Sequence, residues 1–416
     1  MPITSTSKEP LSDTEFDKLW TLEDTFTHPQ FRLLYVPPKD EHDMMTIITP
    51  SKHEPSYVPD RKFYALSHLW GTDPKDNLWE VSDFISDEDG TTVEPIPMRQ
   101  EKREAFLNLL QENPGYWWID VLCCRTDTPP IIMRGVYGCC HTCFAMIDCP
   151  PIAIEFFSAE VLSSLDSMSS TREGWPHVGD IWKCRWFSRV WTMQELALPS
   201  SVLLLSETCD MPCYLSVDSL HHQLEYHFHS KEDKNTKDLK NHLLNMRCVF
   251  QWFHDDEEFL DTTFGSLNRL LAMFAESERS CYFAEDYVYG VLGIFGWDIP
   301  RLNDLRGLWD HFVFSICEFA KKAFWTEVKN NFETTLYGLE DVQCPETAVK
   351  HCQEFMYIGA SGDVESCPLS RACNMADVYQ QLSLALYIST GERSCVVCKR
   401  VLRALRSSPS VKVIWC

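Results

Sequence analysis

Two apolar stretches decide the fold, FYALSHLWG at residues 63–71 and YWWIDVLCC at residues 116–124. Each is a short apolar and aromatic run that ends near a turn or a polar residue, as is typical of a strand buried on both faces. Between them, residues 101–113 carry apolar side chains at helical spacing and lead into the stop signal Asn-Pro-Gly. A strand, a helix and a strand with short connections predict a parallel sheet covered by helices on both faces.

The flanking segments extend this α/β pattern. FRLLYV at residues 31–36 predicts a strand that two prolines end, and SVLLL at residues 201–205 predicts another. Residues 136–154 predict a helix and a strand, and residues 179–197 predict one helix. Residues 72–100 are acidic and rich in turn residues, which predicts a long surface loop.

Composition divides the chain into three parts. Residues 1–60 are rich in Pro, Ser, Thr and Asp and are predicted to pack on the domain as an amino-terminal segment. Residues 61–210 carry the α/β pattern, and residues 211–416 show mainly helical patterns. A length of 416 residues allows one large elaborated domain or two domains.

The charge balance limits the partners of this chain. It has 37 basic and 61 acidic residues, a net charge of -24, which argues against binding to nucleic acid or to anionic lipid. The first residues lack the apolar core of a secretory signal, and no segment approaches the ~20 apolar residues that cross a bilayer. We therefore expect a soluble, cytoplasmic protein without a membrane span.

Polar residues cluster where the predicted strands end. Ser67, His68 and Trp70 lie at the end of the first strand, and Asp120 lies at the end of the second. In an open parallel sheet, ligands bind in the crevice at the carboxyl ends of the strands. These four residues are therefore predicted to line one cleft.

A third stretch, RWFSRVWTMQEL at residues 185–196, adds charged and aromatic candidates. Glu195 lies near the end of the predicted helix that also carries Arg185, Arg189 and Trp191. Arginine pairs with phosphate in a bidentate manner, and tryptophan stacks on a base. A carboxylate near a ribose can stabilise the positive charge that develops as a glycosidic bond breaks. Together these residue types suit a nucleotide-like ligand.

The same residues also allow a purely structural interpretation. In that alternative, Arg189 forms a buried ion pair with Asp120 or Glu195, and the tryptophans are core residues. An open cleft that holds both carboxylates would favour the ligand site, and burial of both against Arg189 would favour the structural role.

Together, and in this order, the three stretches resemble the heterokaryon incompatibility (HET) domain of filamentous fungi. The matching features are Trp-Gly at residues 70–71, Asp-Val-Leu-Cys at residues 120–123 and Arg-x-Trp-Thr-x-Gln-Glu at residues 189–195. A further similar block covers residues 279–293. The resemblance implies an effector or accessory protein in fungal nonself recognition, where activation of such a domain leads to growth arrest or cell death. It also implies self-association or a protein partner.

The HET family is distantly similar to Toll/interleukin receptor (TIR) domains, some of which cleave NAD at the nicotinamide bond with one glutamate. This similarity implies a TIR-like, flavodoxin-like parallel-sheet domain, elaborated by the mainly helical carboxyl-terminal region. It implies Glu195 as the leading catalytic residue and Asp120 as the second, with NAD as a substrate and no cofactor. The implied ligand-binding residues are Ser67, Trp70, Arg185, Arg189 and Trp191.

The chain departs from the family after residue 123. HET proteins usually continue with an Ile-Asn-Gln-Asp-like turn and a polar helix, but CRTDTPP at residues 124–130 lacks the Asn-Gln pair. Its two prolines break helical geometry, so the following helix is expected to be shortened or replaced. The alternative to an enzyme is therefore a non-enzymatic signalling or interaction domain, or a degenerate, inactive HET paralogue.

Cysteines offer a competing hypothesis of a zinc site. Six cysteines and His141 lie within residues 123–149, and Cys395 and Cys398 form one Cys-x-x-Cys pair. Structural zinc sites usually show two such pairs at tight spacing, and only one is present here. We therefore expect no metal site.

Overall fold

The computed structural model describes the central sheet, its covering helices and parts of the carboxyl-terminal region. The described residues are 21–41, 43–54, 57–70, 78–125, 127–158, 177–209, 211–227, 270, 271, 274, 277, 279–316, 319 and 374–379.

Strands in this part of the chain form one sheet of eight strands and one of two. They are β1 (Leu33–Val36), β2 (Met45–Ile48), β3 (Tyr64–His68), β4 (Leu78–Trp79), β5 (Ile85–Asp87), β6 (Ile96–Pro97), β7 (Gly115–Ile119), β8 (Thr142–Ile147), β9 (Val202–Ser206) and β10 (Leu215–Ser216). The large sheet has the order β10-β9-β8-β3-β7-β1-β2-β5, and β4 pairs with β6.

The helices connect and cover these strands. They are α1 (Leu22–Thr27), α2 (Gln100–Glu112), α3 (Asp120–Cys123), α4 (Ile132–Cys139), α5 (Pro151–Phe157), α6 (Val178–Trp182), α7 (Thr192–Ala197), α8 (Val217–His227) and α9 (Asp286–Phe295). Residues 305–316 are also helical. No helix in the described ranges is long and apolar enough to cross a membrane.

Four neighbouring parallel strands, β9, β8, β3 and β7, form the centre of the large sheet. In the chain these strands follow one another as β3, β7, β8 and β9, which we number 1 to 4. Read across the sheet from β7 to β9, their order is 2-1-3-4. The direction of succession therefore reverses between β3 and β8, and such a switch point is where doubly wound sheets bind ligands. Strands β1 and β10 join this centre in antiparallel fashion. The predicted α/β class is confirmed, but the sheet is mixed and mostly parallel rather than wholly parallel, since β1, β2 and β10 pair in antiparallel fashion.

Several predicted elements are present close to their expected bounds. Helix α2 buries the apolar face that the spacing predicted, and Asn113 ends it before Gly115 begins β7 at a φ of 128°. That positive φ is open to glycine but costly for other residues. The strand predicted at residues 31–36 is β1, and the helix and strand predicted within residues 136–154 are α4 and β8.

The single helix predicted over residues 179–197 is wrong. This segment forms α6, a 3-10 turn at Arg185–Ser188 and α7. The helix breaks at Arg189, whose extended backbone forms a parallel bridge to Ser280. The Ser280 amide donates to the Ser188 carbonyl at 2.7 Å, and the Val190 amide donates to the Ser280 carbonyl at 3.1 Å. Hydrogen bonds to a distant segment thus replace those of a continuous helix.

The long surface loop predicted over residues 72–100 is also wrong where the structure describes it. Residues 78–100 contain β4, β5 and β6, and β5 joins the large sheet beside β2. Val81, Ile85 and Met98 are buried there. Their wide and irregular spacing shows no strand or helix period, so the acidic residues between them dominated the prediction.

Candidate functional site

Each of the four central strands leads into an ionisable residue at its carboxyl end. His68 ends β3, Asp120 follows β7, Asp148 follows β8 and Glu207 follows β9. Because these strands are parallel and adjacent, the four side chains lie along one edge of the sheet. The site is built along this edge.

Asp120 is held by three contacts. Trp70 Nε1 donates to Oδ2 at 2.7 Å, and the Val121 amide donates to Oδ1 at 2.7 Å. His68 Nε2 lies 3.2 Å from Oδ1 in a bent contact. Burial alone would raise the pKa of Asp120, but His68, Trp70 and Val121 together lower it below its usual range. Asp120 is therefore ionised at neutral pH, and its side chain is 20% exposed.

Glu195 lies deeper, on α7. The Ser67 hydroxyl donates to Glu195 Oε2, and Trp186 Nε1 donates to Ser67 Oγ at 2.7 Å. Burial raises the pKa of Glu195 to about 7, against the hydrogen bond from Ser67, and the charge of Asp120 raises it further. With 8% of its surface exposed, Glu195 is a carboxyl group that changes protonation near neutral pH.

Arg189 provides an uncommitted positive charge beside Glu195. Its side chain is half-buried and makes no ion pair or hydrogen bond with any residue that the structure describes. Its charge nevertheless lowers the pKa of Glu195. The ion pair to Asp120 or Glu195 required by the structural alternative is thus not formed in this part of the chain.

Arg279 fixes the backbone of Arg189 from below. It is fully buried, and its Nη1 donates to the Arg189 carbonyl oxygen at 2.6 Å and to Thr192 Oγ1. Burial lowers the pKa of Arg279 to about 9, and the charge of Glu195 opposes this shift. Sequence reasoning quoted Arg279 only as part of a family block and missed its place under the site.

Trp191 and Arg185 contact carboxylates outside the Asp120 and Glu195 pair. Burial raises the pKa of Asp286, at the start of α9, to about 6, and the nearby Trp191 side chain opposes this rise. Arg185 is half-exposed, and its Nε donates to Asp148 Oδ2 at 2.7 Å, which places it at the end of β8. The structure thus forms two contact groups at the end of β3, with His68 and Trp70 on Asp120 and with Ser67 on Glu195, while Arg185 lies further along the edge.

Lys102 is a functional candidate that the sequence analysis missed. It is fully buried on α2, with Nζ 3.1 Å from His68 Nδ1 and hydrogen-bonded to the Leu69 carbonyl oxygen. Glu207 Oε2 lies 3.8 Å from Nζ, and Arg99 also pairs with Glu207. Burial lowers the pKa of Lys102 to about 8, and Glu207 opposes this shift. The signal was present, because position 102 shares a helix face with Ala105, Phe106 and Leu109.

The cysteines near residues 123–149 are core residues. Cys123, Cys140, Cys143 and Cys149 are buried, and burial raises the pKa of the Cys123 thiol to about 12. Among the residues that the structure describes, no group of three or more His, Cys, Asp or Glu side chains could hold a metal ion. Cys395 and Cys398 lie outside the described residues.

Fold and site define an α/β protein with ionisable side chains along the carboxyl edge of a mostly parallel sheet. Residues 63–195 match the family model of the heterokaryon incompatibility protein (HET), so this chain carries a HET domain over that segment. This match confirms the family predicted from the three sequence stretches. No curated protein and no solved structure is significantly similar to the chain. A HET domain implies a role in fungal heterokaryon incompatibility.

Proposed function

We propose that this protein is an effector or accessory protein of fungal nonself recognition. We propose further that it cleaves NAD or a related nucleotide at a site that contains Asp120 and Glu195. One observation carries the proposal. Asp120 is ionised and partly exposed, and it accepts a hydrogen bond from the indole of Trp70, which is 43% exposed. The charge of Asp120 contributes to the raised pKa of a second carboxyl group, Glu195, at about 7. Core residues alone would not require such an arrangement.

The chemistry follows from the two protonation states. Hydrolysis breaks the C–N bond between ribose and nicotinamide, and water supplies the new C–O bond, releasing nicotinamide, ADP-ribose and a proton. Asp120 provides a fixed negative charge for the cationic ribose that develops in the transition state. Glu195 exchanges protons near neutral pH and accepts the proton of the attacking water.

The remaining residues would bind the substrate. Arg189 has a guanidinium that no described residue engages, which suits it to a phosphate. Trp70 offers an exposed indole whose orientation Asp120 fixes, which suits it to stacking on a ring. Arg185 lies at the rim beside Asp148 and would meet a distal phosphate. Ser67 donates to Glu195, and Trp191 acts on the pKa of Asp286, so both would shape the wall of the site.

The similarity of HET domains to TIR domains supports the nicotinamide bond as the target. The order 2-1-3-4 of the four parallel strands is compatible with a TIR-like domain, since flavodoxin-like sheets share this order. Because a fold does not determine a reaction, the assignment of NAD cleavage depends on Asp120 and Glu195.

A non-enzymatic interaction domain is the second candidate, and two observations favour it. Glu195 is nearly buried and satisfied by Ser67, as in a structural core. Tyr282 and Phe283 are 93% and 57% exposed, and they lie two and three residues beyond the Ser280 bridge to Arg189. In this candidate function, these aromatic side chains contact a partner or a second copy, and Arg189 transmits the contact to the domain.

Expression of the full chain from an inducible promoter in a filamentous fungus would separate the two functions. The compared variants are Asp120→Asn, Glu195→Gln, a Tyr282→Ala/Phe283→Ala pair and the control Glu104→Gln, which changes an exposed carboxylate on α2. The proposed enzyme predicts growth arrest with loss of cellular NAD, abolished by the first two variants and kept by Glu104→Gln. Arrest without NAD loss, abolished only by the aromatic pair, would instead establish the interaction domain.

A further inference from the structure

Lys102 is a buried charge that the proposed chemistry does not use. A lysine ammonium in the protein interior is costly unless partners compensate for its lost hydration. Here its partners are the Leu69 carbonyl oxygen, His68 Nδ1 at 3.1 Å and Glu207 at 3.8 Å. Two of these contacts lead directly to the strand end that faces Asp120.

An ammonium group has only hydrogen-bond donors, so its contact with His68 decides the tautomer of that imidazole. The Leu69 carbonyl oxygen also lies 3.3 Å from Nδ1, but that oxygen already accepts from Lys102, and Lys102 Nζ lies nearer to Nδ1, at 3.1 Å. Nδ1 therefore accepts from Lys102, and the ring proton is on Nε2. Nε2 is the atom that lies 3.2 Å from Asp120 Oδ1. A neutral imidazole in this tautomer presents an N–H to Asp120 and leaves the carboxylate ionised.

We propose that Lys102 is a positioning residue, which holds His68 as the neutral Nε2–H tautomer and so fixes the orientation of the Asp120 carboxylate. The charged groups around His68 are consistent with this role. Lys102 faces the imidazole from α2, and Asp120 faces it from the start of α3. The pKa of Lys102 is in turn raised by the charge of Glu207 and lowered by the charges of Arg99 and Arg189.

The imidazole environment gives independent support. Burial and, next, the charge of Lys102 lower the pKa of His68, whereas Asp120 acts in the opposite direction. Lys102 thus works against protonation of His68 even though a carboxylate lies beside it. Only the consequence for catalysis rests on the proposed function, because the tautomer can be measured in an inactive protein.

Nitrogen-15 NMR of the imidazole side chains of the full chain tests the geometry. The His68 signals are assigned by their loss in His68→Gln. In the wild type, we expect Nδ1 without and Nε2 with a proton at neutral pH, and a ring that becomes protonated only below the usual histidine pKa. A protonated Nδ1 or an imidazolium at neutral pH would overturn the proposal.

Two substitutions separate the donor from the charge. Lys102→Met removes both, so His68 should titrate at a pH about one unit higher or more, because Asp120 then acts unopposed by Lys102. Lys102→Gln keeps an N–H donor and should keep the tautomer. The matched control Lys39→Met changes an exposed lysine and should change neither signal. If Lys102→Met does not fold, the wild-type and Lys102→Gln spectra still decide the geometry.

NAD hydrolysis by the same variants tests the kinetic role. Lys102→Met should lower kcat by about ten- to a hundredfold with little change in KM, since a misplaced carboxylate weakens transition-state stabilisation. Lys102→Gln should recover most of that loss. If the wild-type protein does not cleave NAD, the proposed function is wrong, but the NMR spectra still test the tautomer of His68 independently. Unchanged kcat in a folded Lys102→Met variant would remove the positioning role.

Discussion

At the scale of single residues, the carboxyl groups of Asp120 and Glu195 differ because their surroundings differ. Asp120 accepts hydrogen bonds from an indole and a backbone amide and lies beside an imidazole, so its ionised form is stabilised. Glu195 has one hydroxyl donor and little water, so its neutral form is stabilised. A pair of acids with separated pKa values is a usual basis for dividing roles in catalysis.

The raised pKa of Glu195 predicts a pH-dependent stability. The folded-state pKa is about 7 against an ordinary 4.5, so this group favours folding most below the ordinary value and loses that contribution as pH rises through 7. Glu195→Gln removes the titration, and its unfolding free energy relative to wild type should rise by about 3 kcal/mol between about pH 4.5 and pH 8. Urea unfolding at both pH values measures this difference.

Glu104→Gln is the control. Because this carboxylate is exposed on α2, its substitution should change the unfolding free energy by a similar small amount at both pH values. Asp286, whose pKa is about 6, titrates in every variant and cancels in the comparison. A Glu195→Gln difference that is independent of pH would contradict the environment assigned to Glu195.

At the scale of elements, α7 is placed by close contact with α9. A Cβ at Gly290 would lie 2.6 Å from Val190 Cγ1 and 3.4 Å from the Trp191 amide nitrogen. At Gly293 it would lie 2.4 Å from Gln194 Oε1. Glycines on α9 thus let the helix that carries Glu195 approach closely, and the Ser280 bridge holds the segment before it.

Gly290→Ala should therefore destabilise the protein by about 1–3 kcal/mol, since the added methyl group forces the two helices apart. Gly138→Ala is the matched control, because Gly138 is exposed on α4 and a Cβ there meets nothing within 4 Å, so alanine should stabilise the protein by about 0.5 kcal/mol. Thermal unfolding compares both variants with wild type. Equal effects of the two substitutions would refute the close helix contact.

The same scale shows which features a sequence can predict. Strands β3 and β7 and helix α2 were predictable, because each has a continuous apolar pattern of its own. The break at Arg189 was not, because it depends on Ser280, far away in the chain. Lys102 was overlooked because lysine is usually solvated, although its helix face was apolar. Asp148 and Glu207 carried a usable signal, as each directly follows an apolar strand.

At the scale of the whole molecule, the net charge of -24 governs which partners can approach. The positive groups at the sheet edge, Arg99, Lys102 and Arg185, are paired with carboxylates, which leaves little for a polyanion. A small phosphate-bearing ligand needs only one or two guanidinium groups, whereas nucleic acid needs an extended basic surface.

We therefore predict no binding to duplex DNA or to RNA at about 0.15 M salt, where the Debye length is about 8 Å. Fluorescence polarisation with labelled oligonucleotides, titrated with the full chain, measures this directly. Saturable binding that weakens with salt would reveal a basic surface that the overall charge conceals.

NAD hydrolysis by the purified full-length protein tests the central claim most directly. The protein is assayed alone and after enforced oligomerisation, with NAD at about 1 mM, beside folded Asp120→Asn, Glu195→Gln and Glu104→Gln variants. The account predicts release of nicotinamide and ADP-ribose that both cleft variants lower at least about a hundredfold and Glu104→Gln leaves unchanged. Hydrolysis that persists in Asp120→Asn and Glu195→Gln, or none in any assembly state, would contradict it.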